Sequence, residues 1–99
     1  MSWVNNCILT FMETHPSSRI AELNGHLGEL AETHQGFPLG EPESGGSKAL
    51  EADIRLAAFN HVESFEVIEA IRLTEWGSPE SVRLFWCGQE DEFFVQVYP

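Results

Sequence analysis

The stretch SWVNNCILTFM near the start of the chain is apolar on both of its alternating sides, with Trp3, Cys7, Leu9 and Phe11 on one and Val4, Ile8 and Met12 on the other. Aromatic and β-branched residues in that pattern specify a strand. Because neither side is polar, the strand belongs at the centre of a sheet rather than at its edge. Everything after it must supply neighbours for that strand and a layer to cover it.

The chain supplies a helix next. His15-Pro16-Ser17-Ser18 ends the strand, and a serine there can cap a helix in which Ile20, Leu23, Leu27, Leu30 and Ala31 recur at helical spacing, over roughly four turns. Gly25 and Gly28 fall inside it, each costing about 1 kcal/mol relative to alanine, which predicts a close backbone approach at those points. Residues 35–49, with four glycines, two prolines and two serines, break the periodicity and read as a flexible loop, interrupted by a short strand at GFPL if one forms.

Period two then returns. Leu50, Ala52, Ile54, Leu56 and Ala58 alternate with Glu51, Asp53 and Arg55, which predicts a strand with its aliphatic side buried and its charged side in water. Residues 61–77 can be read as a strand alternating through Phe65, Val67 and Ile71 or as a helix capped at Ser64; the helix is preferred, because Phe65, Val67, Ile68 and Ile71 cluster on one side of a helical wheel and Gly77-Ser78-Pro79 supplies a stop. SVRLFWC and EFFVQVY, separated by GQED, predict a terminal hairpin.

The expected architecture is therefore one α+β domain spanning residues 1–99: a ferredoxin-like βαββαβ sandwich with an extra C-terminal strand, and two helices on one face of a mixed or antiparallel sheet. Such a sheet exposes its second face, and here Phe85, Phe94 and Tyr98 stand opposite Leu84, Trp86, Phe93, Val95 and Val97. A homo-oligomer burying that face is the expected cover.

Composition bounds the partners. Sixteen acidic against five basic residues give a formal charge of −11, which disfavours nucleic acid and anionic membranes and favours a basic protein surface. No apolar run approaches a membrane span and the N-terminus lacks a signal peptide's basic region, so a cytoplasmic protein with reduced Cys7 and Cys87 is expected.

No catalytic pattern emerges. GGSKALEADI lacks the P-loop spacing and leads into a strand, although Gly45, Gly46, Ser47 and Lys48 could form a looser anion nest. His15, His26, His34 and His61 have no zinc spacing, and there is no Cys-x-x-Cys pair or nucleophile elbow. Neither cofactor nor metal is expected. Asp53 and Arg55 are expected as a pair on an exposed sheet face, and Glu90, Asp91 and Glu92 as solvated turn residues.

The runs SWVNNCILTF, GGSKALEADI, AAFNHV and SVRLFW resemble small acidic proteins of bacteria and their phages, a likeness that brings no catalytic motif. In size and charge the chain is also similar to bacterial immunity proteins and phage anti-defence proteins. The expected function is a non-catalytic acidic binding protein that inhibits or sequesters a partner through Glu22, Glu29, Glu66, Glu69 and Asp91. On that reading, charge reversal of Glu66 and Glu69 abolishes binding and spares the fold. The alternative is an oligomeric small-molecule sponge that holds a nucleotide-like anion with Gly45, Gly46, Ser47, Lys48, Arg55 and Arg83. A small enzyme of unspecified reaction is the third class.

Overall fold

A computed structural model describes residues 3–28, 37 and 53–99 of the chain. The expected loop at 35–49 and the strand at GFPL lie outside the described residues, apart from Phe37. The described elements run β1 (Val4–Phe11), α1 (Pro16–Leu27), β2 (Asp53–Asn60), α2 (Ser64–Leu73), a 3₁₀ turn (Pro79–Ser81), β3 (Arg83–Cys87) and β4 (Val95–Tyr98). They form an α+β structure with two helices and a four-stranded antiparallel sheet in the order β2-β1-β3-β4. Because β2 and β3 both run antiparallel to β1 on its two sides, they are parallel to each other, and α2 carries the chain across β1 between them. As its two apolar sides require, β1 is an inner strand.

One side of the sheet is closed by both helices. Cys7, Leu9 and Phe11 of β1, Phe59 of β2 and Leu84 of β3 pack with Ile20 and Leu23 of α1 and Val67 and Ile71 of α2 in one core. Phe59 sits edge-on to Phe37 at 5.7 Å and stacks on Trp86 at 6.5 Å. Phe11 meets Trp76 at 5.2 Å. Such ring pairs add about 0.5–1.5 kcal/mol beyond the burial of their area. Phe37 is held at this site by reciprocal bonds of 3.0 Å with Asn24, whose Nδ2 donates to the Phe37 carbonyl and whose Oδ1 accepts its N–H.

The helix boundaries differ from expectation in chemically specific ways. In α1, Pro16 occupies the first turn, where its missing N–H costs nothing. His15 stands at the cap position without a side-chain bond, so no serine caps this helix. Gly28 ends it with a φ of +58° and donates to the Asn24 carbonyl at 3.0 Å. A Cβ on Gly25 or Gly28 would meet nothing within 4 Å, so no close approach explains them, and Gly28 serves the left-handed turn instead.

In α2 the cap is Glu63, not Ser64, and the Glu66 carboxylate accepts the Glu63 N–H at 2.8 Å. Phe65 is 64% exposed, contrary to expectation. Two residues from Val67, at about 100° each, place it roughly 160° from the buried stripe. The helix stops at Thr74, whose hydroxyl donates to the Ala70 carbonyl at 2.9 Å, before Gly77-Ser78-Pro79 is reached.

The phase of β2 is the reverse of the alternation reading. Asp53, Arg55 and Phe59 point into the helix-covered side, while Ile54 and Leu56 are 50% and 60% exposed on the other. Phe59 is buried on the same side, as its shared parity with Asp53 and Arg55 requires. Asp53 and Arg55 do pair, at 3.1 Å, but buried rather than in water. The hairpin also differs: β4 begins only at Val95, leaving Phe93 and Phe94 in the turn.

Candidate binding surfaces

The side of the sheet away from the helices is built by alternation. Ile8 of β1 is in register with Leu56 of β2 and with Phe85 of β3, giving an apolar row three strands wide. On one side of it lies Ile54–Thr10–Arg83, and on the other Ala58–Asn6–Cys87. Phe94 folds over this face and bounds, with Ile8, Leu56, Ala58 and Asn6, an open concavity of about 540 Å³. Among the described residues no element covers the face. Its outward strand positions carry no carboxylate, and their one charged group is Arg83, whose Nη1 donates to the carbonyls of Glu80 and Val82 at 2.7 and 2.9 Å.

A second surface adjoins it at the β3–β4 turn. The Asp91 carboxylate accepts the Gly88 N–H at 2.8 Å and the Asp91 N–H donates back to the Gly88 carbonyl at 3.0 Å, closing a tight turn. Gln89 ties that turn to β1 by accepting the Val4 N–H at 2.7 Å. The pinned segment presents Glu90 and Glu92 to water next to Phe93, which is 73% exposed. On sequence alone Phe93 reads as a strand residue and not as a candidate site residue. Its exposure follows from the late start of β4, and the acidic run directly before two phenylalanines was the available signal.

The remaining expected site residues scatter. Glu22 accepts the Glu75 N–H at 2.7 Å and pairs with Arg19 and His26. Its carboxyl is held below the ordinary carboxylate value, first by the Glu75 amide and then by His26 and Arg19. Glu66 caps α2 and Asp91 closes its turn, so both have structural work, and charge reversal at Glu66 would also remove the α2 cap. Glu69 forms a solvated pair with Arg72 at 3.0 Å. Glu29, Gly45, Gly46, Ser47 and Lys48 lie outside the described residues. Arg55 and Arg83, expected to share one anion, stand on opposite faces of the sheet, because Arg55 is in register with inward Leu9 and Arg83 with outward Thr10.

The thiols are also separated by the sheet. Cys7 is buried on the helix side, and burial pushes its pKa up to about 12 despite a backbone bond with Ala57. Cys87, in register with Asn6, faces the open side, so the two are free and cannot meet. Among the described residues no group of three His, Cys, Asp or Glu could hold a metal ion, and no described helix is long and apolar enough to cross a membrane. Comparison with protein-family models, with curated proteins and with solved structures finds no match to this chain.

Proposed function

We propose that this chain is a non-catalytic acidic binding protein that inhibits or sequesters a basic protein partner, of the immunity or anti-defence kind, in the bacterial cytoplasm. The observation that carries the reading is the pinned β3–β4 turn, where exposed Phe93 stands between the carboxylates of Glu90 and Glu92 and the hydrophobic segment that leads into β4. Carboxylates speed the approach of a cationic surface, and an aromatic anchor at the centre of contact supplies the persistence that charge alone lacks. The contact thereby moves from the helices to the turn, since Glu22 and Glu66 are engaged within the fold. The parallel β2 and β3, split by β1 and linked through α2, match one half of a ferredoxin-like sandwich, and we take the whole fold to be of that type with β4 as its extra strand.

The test is affinity capture on immobilised wild type, Phe93→Ala and Glu90→Lys/Glu92→Lys, from bacterial lysate at low and high salt. A basic protein retained by wild type at low salt, lost at high salt and lost with both variants is the expected result. Equal retention by all three proteins would sink the assignment of the turn.

A further inference from the structure

We propose that the sheet face opposite the helices, which no described element covers, is the interface of a homodimer, two copies packing face to face across the Leu56–Ile8–Phe85 row. The inference does not rest on the basic partner assigned above, because it draws on the sheet face and not on the adjoining turn.

Three observations carry it. The first is the phase of β2. This strand turns Ile54 and Leu56 outward and buries the Asp53–Arg55 ion pair, whose desolvation a water-facing strand would avoid by the opposite choice. That arrangement suits a strand covered on both sides. The second is extent. Eight residues each in β1 and β2, five in β3 and four in β4, at about 3.3 Å along and about 4.8 Å between strands, give a flat footprint of roughly 400 Å². Side-chain relief and the flanking Phe94 and Met12, 45% and 46% exposed, enlarge the accessible area toward the ~800 Å² per partner of a standard interface.

The third observation selects the occupant. A chain of net charge −11 repels its own copies wherever carboxylates would meet. Sixteen of its 99 residues are acidic, yet the outward positions of β1 to β4 hold none. Two such faces can therefore meet without opposing carboxylates, whereas a basic partner would find no countercharge there. Sheets stacked this way lie about 10 Å apart and about 30° off alignment. With the two-fold axis within about 15° of the β1 direction, Leu56 of one copy faces Phe85 of the other and Ile8 faces its own counterpart. The concavity beneath Phe94 gives the facing side chains room to interdigitate.

The experiment is light scattering on a sizing column, with native mass spectrometry, for wild type, Leu56→Glu and Leu73→Glu. Leu56 and Leu73 are each 60% exposed in the single chain, so neither change should disturb its fold, and far-UV circular dichroism checks this. Leu73 lies at the end of α2, away from the interface. Wild type and Leu73→Glu are expected at twice the 11.1 kDa chain mass, and Leu56→Glu at the single mass. Raising salt should tighten the dimer by screening like charges, opposite to its effect on a basic partner. A monomeric wild type, with or without a retained small molecule, would overturn the proposal, as would a Leu56→Glu protein that stays dimeric.

Discussion

Glu13 ties three parts of the chain together and its removal should be costly. It follows β1 directly, and its side chain is 3% exposed. One carboxylate oxygen accepts from Arg19 Nε of α1 at 2.9 Å and from the Gly77 N–H at 2.8 Å, and the other accepts the Ser78 N–H at 2.6 Å. The carboxylate therefore fixes the entry to α1 and the α2–β3 connection to the end of β1. Hydrogen bonds to a charged group contribute about 1.5–3 kcal/mol each where water is excluded. The Ser78 and Arg19 bonds are partly buried, and the Gly77 bond is exposed. The Arg19 side chain is 33% exposed, so that ion pair is discounted to below about 1 kcal/mol. Glu13→Ala should then cost about 2–4 kcal/mol, a large part of the ~5–15 kcal/mol of a typical domain. Glu13→Gln keeps one carbonyl acceptor and should cost about half as much.

Gly77 provides a cross-check, because a Cβ there would stand 3.1 and 3.2 Å from the two Glu13 oxygens, which three bonds hold in place. Gly77→Ala should therefore destabilise the wild type and cost much less in the Glu13→Ala background, a coupling that a double-mutant cycle reads directly. Equilibrium urea unfolding of the four proteins is the assay. A Glu13→Ala loss below about 1 kcal/mol, or additive costs in the cycle, would refute the bracket.

Glu66→Ala should lower stability by about 0.5–2 kcal/mol through loss of the α2 cap, while Glu69→Ala, which removes only a solvated ion pair, should change it by less than about 0.5 kcal/mol; thermal unfolding separates them. A thiol reagent should leave Cys7 unlabelled in the folded protein and titrate both cysteines in denaturant, since the Cys7 thiol is buried with its pKa pushed up to about 12. Prompt labelling of both in native protein would contradict that core. The lowered carboxyl of Glu22 contributes stability that is present above its ordinary, unfolded value and is lost as pH falls through the lower folded one. Unfolding midpoints measured through that acid window should consequently depend less on pH in Glu22→Gln.

The elements that were legible in the sequence are those whose evidence is local. β1 shows its central position because both of its sides are apolar, and α1 shows its buried stripe because Ile20, Leu23 and Leu27 share one face. The α2 segment shows its helix through Val67 and Ile71, although Phe65 lies on the far side. What was not legible depends on partners distant in the chain. Glu13 looks like any acidic residue until the fold brings Gly77 and Ser78 to it, more than sixty positions away. Glu22 looks solvated until the Glu75 amide arrives. Phe93 reads as strand by composition, and only the Asp91 turn, held to β1 through Gln89, delays β4 long enough to expose it.

β2 is the instructive failure, because its alternation is clear and its phase is nonetheless reversed. A slip by one residue would turn Ile54 and Leu56 inward, release Asp53 and Arg55 to water, and expel Phe59 from its place between Phe37 and Trp86. Burying an aliphatic or aromatic side chain contributes about 1.5–3 kcal/mol, and the two ring contacts of Phe59 add about 0.5–1.5 kcal/mol each. For a sheet wet on its open side, the slip exchanges one aromatic and its contacts for two aliphatic residues and a freed ion pair, so the two phases are close in energy. With a second copy over the open face the comparison is no longer close. The observed phase keeps Asp53 and Arg55 paired on the helix side and sets Ile54 and Leu56 against the partner, whereas the slipped phase would place Asp53 and Arg55 in the interface between two like-charged copies. The feature that a single-chain reading of β2 misses is thus the one that a covered sheet would select.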